Sequence, residues 1–172
     1  RDVIALVAKA QPQSPREMAP VVKSEYEPAS KTRQIIAQRM HAGANHAAPA
    51  TLTTKIDASA LVAFRERLKA TAGSEPVPSY SDILIKLIAA ELPTCPRLNA
   101  CWHSDRIYLY SAINIAFAVD TEAGLVAPAI ENVPSLTLTE VSKQSRKLIE
   151  KARIGSLTQT ELQRGTFTIT NL

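Results

Sequence analysis

Cysteine, glycine and histidine are all sparse in this chain. Cys95 and Cys101 are the only two cysteines among 172 residues, which makes no disulfide framework and points to an intracellular, reducing compartment. The chain holds five glycines, and neither a phosphate-cradling P-loop nor a dinucleotide-binding glycine fingerprint occurs, which argues against nucleotide hydrolysis. Of the three histidines, His41, His46 and His103, the first two are five apart with no cysteine or carboxylate at ligand spacing, so no zinc site is expected. No apolar run is long enough to cross a bilayer, and no positively charged, apolar, small-residue leader opens the sequence. Charge of neither sign dominates. The 20 Lys and Arg against 16 Asp and Glu leave +4, well short of a nucleic-acid-binding tail and suited to a phosphorylated small ligand.

What is present is the balance of one globular domain with a short appendage, 45% hydrophobic and 21% charged residues, at a length that holds a core without disulfide or metal staples. The chain opens on Arg1 and closes on Leu172 in an apolar, strand-like run, so a piece of a longer protein is expected. Residues 1–8 carry Val3, Ile4 and Val7 at helical spacing. Residues 9–29 set Pro12, Pro15, Pro20 and Pro28 among polar residues, as in an interdomain linker. The main domain is placed at residues 30–172.

Within that domain, Ser30 caps a helix bearing Ile35, Ile36 and Met40 that stops near Gly43. Residues 51–56 alternate, with Leu52, Thr54 and Ile56 on one face, and predict a half-buried strand. Asp57 then caps a helix striped by Leu61, Phe64 and Leu68 that ends around Gly73. Ser79 or Ser81 opens a strongly apolar helix that Pro93 terminates. Residues 106–110 and 112–119 predict strands joined at Ser111, and the small face of the second, with Ala112, Ala116 and Ala118, implies a close neighbour. A turn at 120–124 and a strand at 125–130 complete a hairpin. Leu138, Val141, Leu148 and Ala152 mark another helix, Thr158 with Glu161 caps a short one, and residues 166–170 form a last strand. Helices interspersed with antiparallel strands predict an α/β two-layer architecture.

Taken singly, the chemical groups name no activity. The two cysteines read as small buried hydrophobes. Lys86, inside an apolar helix, is expected to snorkel or to reach a carboxylate rather than to act as a catalytic amine. Asp120 reads as a turn residue and Arg65 as a solvated helix residue.

Longer runs carry more. RxxIAxRM at 33–40, LNA at 98–100, NIAFAVDTEAGLVAP at 114–128 and GTFTITNL at 165–172 occur in this order. Together they resemble the catalytic core of the dihydrolipoyl acyltransferases of 2-oxoacid dehydrogenase complexes, over residues 30–172. RDVIALVAK is similar to the last helix of that family's peripheral-subunit-binding domain, with a Pro/Ala-rich linker following it. The resemblance implies a two-layer sandwich like chloramphenicol acetyltransferase, C-terminally truncated in this sequence. It also implies homotrimers with active sites between neighbouring subunits, assembled into a large hollow core. The implied reaction is acyl transfer between dihydrolipoamide of a lipoyl domain and coenzyme A, without metal or nucleotide. The implied partners are 2-oxoacid dehydrogenase and dihydrolipoamide dehydrogenase components, with no nucleic acid and no membrane, in the bacterial cytoplasm or an organelle matrix after processing.

Such a reaction needs a base for the thiol proton and a donor for the tetrahedral oxyanion. In the family's TFTISNLG run the serine after TFTI is the donor, and the matching residue here is Thr170, whose hydroxyl can donate in the same way. Arg65, Ser79, Asp120 and Asn171 match positions that bind coenzyme A, arginine as a fork for phosphate and the others by hydrogen bonds. The family's base is a histidine in an HRxxDG motif. No such motif occurs here, so this span of sequence is expected to be catalytically incomplete unless more residues follow. Arg164 stands where the family usually has the first glycine of GGTFT, and Ala50 where many members carry histidine. The TNL ending favours acetyl or branched-chain members over succinyl-transferring ones, and acetyl is the expectation. A catalytically inactive scaffold of the same fold and a free acyltransferase acting on a small hydroxyl compound are the alternatives.

Overall fold

Helix α1 (Lys31–His46) is the first element of the computed structural model, which describes residues 26–46, 48–73 and 76–171. Residues 1–8 and most of the linker at 9–29 therefore lie outside the described residues. Helix α1 does not stop at Gly43 as the sequence suggested. Gly43 has an ordinary negative φ and an open environment, so glycine costs the helix only about 1 kcal/mol and does not end it.

The strand expected at residues 51–56 does not form. This segment is unpaired and exposed, with Leu52 100% and Ile56 79% accessible. Alternation expresses fitness for a half-buried sheet surface, and without a partner strand the pattern has nothing to act on. Asp57 then accepts from the backbone N–H (2.9 Å) and the hydroxyl (2.6 Å) of Ser59, the first residue of α2 (Ser59–Thr71). The chain leaves α2 through Gly73 at φ +53.

Helix α3 (Tyr80–Glu91) is capped by Ser79 and gives way at Pro93 to a short 3-10 turn, Leu92–Thr94. A hairpin follows, β1 (Ala100–His103) against β2 (Arg106–Leu109), with Ala100 opposite Leu109 and His103 opposite Arg106. Only β2 was expected from sequence. Its partner is β1 and not the strand after Ser111. Buried Asn99 closes the base of this hairpin, donating from Nδ2 to the carbonyls of Tyr110 (3.0 Å) and Ala112 (2.9 Å). Beyond it the chain enters a separate sheet.

That sheet has the order β4-β3-β5, from β3 (Ile115–Phe117), β4 (Ala129–Ile130) and β5 (Phe167–Ile169). The pairing of β3 with β4 is antiparallel, the expected hairpin, and Val119 bridges Val126 near its turn. The pairing of β3 with β5 is parallel, with Ile115 opposite Phe167 and Phe117 opposite Ile169. This corrects the expectation of antiparallel strands alone. Helix α4 (Leu138–Arg153) and the short α5 (Gln159–Gln163) form the crossover that parallel strands require.

Ile115, Phe117 and Ile130 of the sheet meet Ile85 and Ala89 of α3 and Val141, Leu148 and Ala152 of α4 in one buried cluster. Ser79 with Asp82, Thr137 with Glu140 and Thr158 with Glu161 form reciprocal capping boxes at the starts of α3, α4 and α5. On β3 the small face has the close neighbour expected of it. A Cβ built on Gly165 would stand 2.8 Å from the Cβ of Ala116, so only glycine lets the chain enter β5 at this distance. Lys86 leaves the apolar helix to donate to the carbonyls of Val133 (3.2 Å) and Pro134 (3.0 Å), which is a structural role.

Candidate active site at the ends of the parallel strands

Parallel pairing sends β3 and β5 out of the sheet at the same end. Ala118 N–H donates to the carbonyl of Ile169 (3.1 Å), continuing the ladder by one residue. Thr170 and Asn171 therefore follow β5 beside the residues that lead from β3 into the 120–124 turn. Both side chains are exposed, and the Thr170 hydroxyl has no partner among the described residues. It stands free to donate.

Asn171 reaches across to α3, its Nδ2 donating to Ser81 Oγ (3.1 Å). Ser81 lies in the first turn of the helix that Ser79 caps. On the other side of that turn, Arg65 of α2 donates from Nε to the Pro78 carbonyl (3.2 Å). Its guanidinium carbon sits 4.8 Å from the centre of the Tyr80 ring, a cation–π contact that fixes the plane of the fork. The Arg65 side chain is 28% accessible, and its nearest carboxylate, on Glu66, is 3.9 Å away. Nη1 thus forms a long ion pair with Glu66, and Nη2 makes no hydrogen bond or ion pair among the described residues.

Three of the five residues singled out from sequence, Arg65, Ser79 and Asn171, are in this way joined through the first turn of α3, and Thr170 precedes Asn171 in the chain. Asp120 is exposed beyond the end of β3 and makes no hydrogen bond or ion pair among the described residues. It shares the end of the sheet without being tied to the other four. Neither the free cysteines nor Lys86 belongs to the cluster. Cys95 is exposed, and Cys101, on β1, accepts from the Tyr110 hydroxyl (2.9 Å); the phenol's donation to sulfur holds the Tyr110 pKa above its usual value.

Sequence reasoning passed over the residues that hold the cluster in place. Asp82 is 2% accessible, and its carboxylate accepts from Ser79 N–H (2.7 Å) and from the buried Ser145 hydroxyl (2.6 Å). Arg146, next along α4, donates to the Val77 carbonyl (2.6 Å). The signal was there in Ser79-Tyr80-Ser81-Asp82, a capping-box spacing directly before an apolar run.

The model of the 2-oxoacid dehydrogenases acyltransferase (catalytic domain) family matches residues 22–172. The dihydrolipoyllysine-residue acetyltransferase component of the mitochondrial pyruvate dehydrogenase complex of Schizosaccharomyces pombe is 35% identical over 145 residues, 84% of this chain and 30% of that protein. The dihydrolipoamide acetyltransferase of Azotobacter vinelandii, in which a serine, a histidine and an asparagine have been investigated for their role in the catalytic mechanism, superposes with a TM-score of 0.84 at 29% identity, covering 94% of this chain and 68% of that one. The cubic core of the pyruvate dehydrogenase multienzyme complex superposes equally well, with a TM-score of 0.84, 29% identity and the same 94% and 68% coverage. The chain spans about a third of the length of the curated relatives it matches. The two-layer α/β fold, like that of chloramphenicol acetyltransferase, is the fold of these cores, and the chain belongs to the 2-oxoacid dehydrogenase acyltransferase catalytic-domain family.

Proposed function

We propose that this chain forms the coenzyme A side and the oxyanion donor of a site that transfers an acetyl group between coenzyme A and dihydrolipoamide carried on a lipoyl domain. The observation that supports this most directly is the convergence of Thr170 and Asn171, at the end of β5, with the first turn of α3, where Ser79 and Arg65 stand with unused donors. One hydroxyl donor for an oxyanion, one guanidinium fork for a phosphate and hydrogen-bonding groups between them match the chemistry of a thioester and of a phosphorylated pantetheine ligand.

In this mechanism Arg65 binds phosphate through its terminal nitrogens, the phosphate displacing the long contact of Nη1 with Glu66, while Ser79, Asn171 and Asp120 hydrogen-bond the remainder of the coenzyme. The attacking thiol adds to the thioester carbonyl carbon, and Thr170 donates its hydroxyl proton in a hydrogen bond to the oxygen that becomes negative. The intermediate collapses with departure of the other thiol, so the acetyl group passes from sulfur to sulfur. None of the residues gathered here is suited to take the thiol proton, and activity is therefore to be assayed on the full-length protein. A threonine in the serine position preserves the donor. Its extra methyl matters only where it turns the hydroxyl aside.

The apolar residues left exposed, Leu52 and Ile56 before α2 and Trp102, Ile107 and Leu109 on the hairpin, suit burial between copies of the chain. We place the chain in a homotrimer within a larger core, serving the 2-oxoacid dehydrogenase and dihydrolipoamide dehydrogenase components, in bacterial cytoplasm or an organelle matrix. The test is transfer of acetyl from acetyl-CoA to dihydrolipoamide by the full-length protein. Transfer is the expected result. Failure with every acyl-CoA would favour an inactive scaffold of the same fold, preference for a branched-chain acyl-CoA would change the acyl group, and preference for a small alcohol would replace the acceptor.

A further inference from the structure

Ser79 meets the chain through all but one of its polar groups. Its N–H is taken by Asp82 Oδ2 (2.7 Å), and its Oγ accepts from Asp82 N–H (3.0 Å). Its hydroxyl proton donates to nothing among the described residues, and the side chain is exposed. A serine so held has its oxygen fixed and its proton left for an acceptor outside the capping box. A hydroxyl free of these bonds would sample other rotamers and spend part of its time donating to local carbonyls.

What holds the serine is itself anchored from another element. Asp82 is buried at 2% accessibility, and its second oxygen, Oδ1, accepts from Ser145 Oγ (2.6 Å) on α4. Ser145 Oγ also lies 3.1 Å from the carbonyl of Ser142 one turn earlier. Arg146, the next residue, grips the Val77 carbonyl two positions before Ser79. An ordinary exposed capping box needs none of this. A buried carboxylate bridging two helices is costly unless every oxygen is satisfied, and here both are.

We propose that Asp82, backed by Ser145, is a positioning residue for the coenzyme A half-site: its carboxylate holds the Ser79 backbone N–H at the start of α3, where its own N–H engages the Ser79 Oγ, and so sets where that hydroxyl is presented to the ligand. This rests on the assignment of Ser79 to coenzyme A binding made above. Asp82 touches no substrate. It acts through Ser79, so its removal raises the KM for coenzyme A while kcat and the KM for dihydrolipoamide stay near their starting values.

The test is a double-mutant cycle on the full-length protein, with KM for coenzyme A, KM for dihydrolipoamide, kcat and the melting temperature measured for each variant. Ser79→Ala is expected to raise the coenzyme A KM by about five- to tenfold, the loss of one hydrogen bond. Asp82→Ala should raise it by a similar factor in the parent and by less than about twofold in the Ser79→Ala background, the non-additivity of residues acting as a unit. Asp82→Asn is the rescue: its Oδ1 can still accept from Ser79 N–H while its Nδ2 donates to Ser145 Oγ, and the KM should return to within about twofold of the parent. Should Asp82→Ala fold poorly, Ser145→Ala supplies the milder break, with a smaller rise in the same KM alone. An unchanged KM in Ser79→Ala would overturn the coenzyme A assignment and this inference with it. A raised KM in Ser79→Ala with full additivity in the double variant, or a loss spread equally over both substrates, would overturn the positioning role and leave the assignment standing.

Discussion

The helical layer on the β4-β3-β5 sheet and the β1-β2 hairpin with the segment before α2 are built from similar apolar residues, yet they end in opposite states. Ile85, Ile115 and Ile130 are fully buried, because α3, α4 and three strands of the same chain converge on them. Leu52, Ile56, Trp102 and Ile107 are exposed, because nothing among the described residues covers them. Residue type sets what a surface favours, and topology decides whether the chain can supply the partner. The candidate site lies mainly on the first region, where β3 and β5 leave the three-stranded sheet beside α3. Ser79, Thr170 and Asn171 are held on this buried scaffold, and Arg65 joins them from the exposed helix α2.

The sharpest way to break this contrast is by core truncation. Ile85→Ala is expected to lower stability by about 4 kcal/mol, a cavity in the centre of the cluster, measured by urea unfolding. Gly165→Ala comes next. Its new methyl would meet the Ala116 Cβ at 2.8 Å, and forcing β5 off β3 should cost about 1–3 kcal/mol, with reduced activity because Thr170 follows that strand. The ion pair of Lys151 with Glu161 (2.6 Å) is smaller. Donation from Lys151 and from the Thr158 backbone brings the Glu161 pKa down from 4.5 to about 2. A carboxylate depressed in the folded state stabilises above its unfolded pKa and loses that contribution as pH falls through the folded one. Glu161→Gln should therefore cost about 1 kcal/mol at neutral pH, and the gap to the parent should narrow between pH 4.5 and about 2. Smallest of all is the paired change Leu52→Ala with Ile56→Ala. It should leave the unfolding free energy of dissociated chains within about 0.5 kcal/mol and instead shift the concentration at which copies associate, read by sedimentation. A large loss in dissociated chains would erase the distinction between the two regions.

The same contrast explains what could be read from the sequence. Helices α3 and α4 were legible, since the first is a strongly apolar run that Pro93 ends and the second carries an apolar stripe from Leu138 to Ala152. Local signals failed where pairing decides. The alternation of Leu52, Thr54 and Ile56 lacks a partner, and β1 is too short and polar at His103 to announce itself. The parallel register of β3 with β5 joins residues about fifty positions apart, beyond any local pattern. At the site, Thr170 and Asn171 were found through the run that contains them, and Arg65 and Ser79 through matched positions. Asp82 and Ser145 were missed because a polar residue on a helix looks solvated until the facing helix is known.

The most direct measurement is the rate of acetyl transfer by full-length protein carrying Thr170→Val, which keeps the shape and removes the hydroxyl, beside Thr170→Ser. An oxyanion donor at the end of β5 predicts that valine lowers kcat by about a hundredfold or more with little change in either KM, and that serine stays within about threefold of the parent. Unchanged turnover in the valine variant would contradict it, and would remove Thr170 from the chemistry of this site.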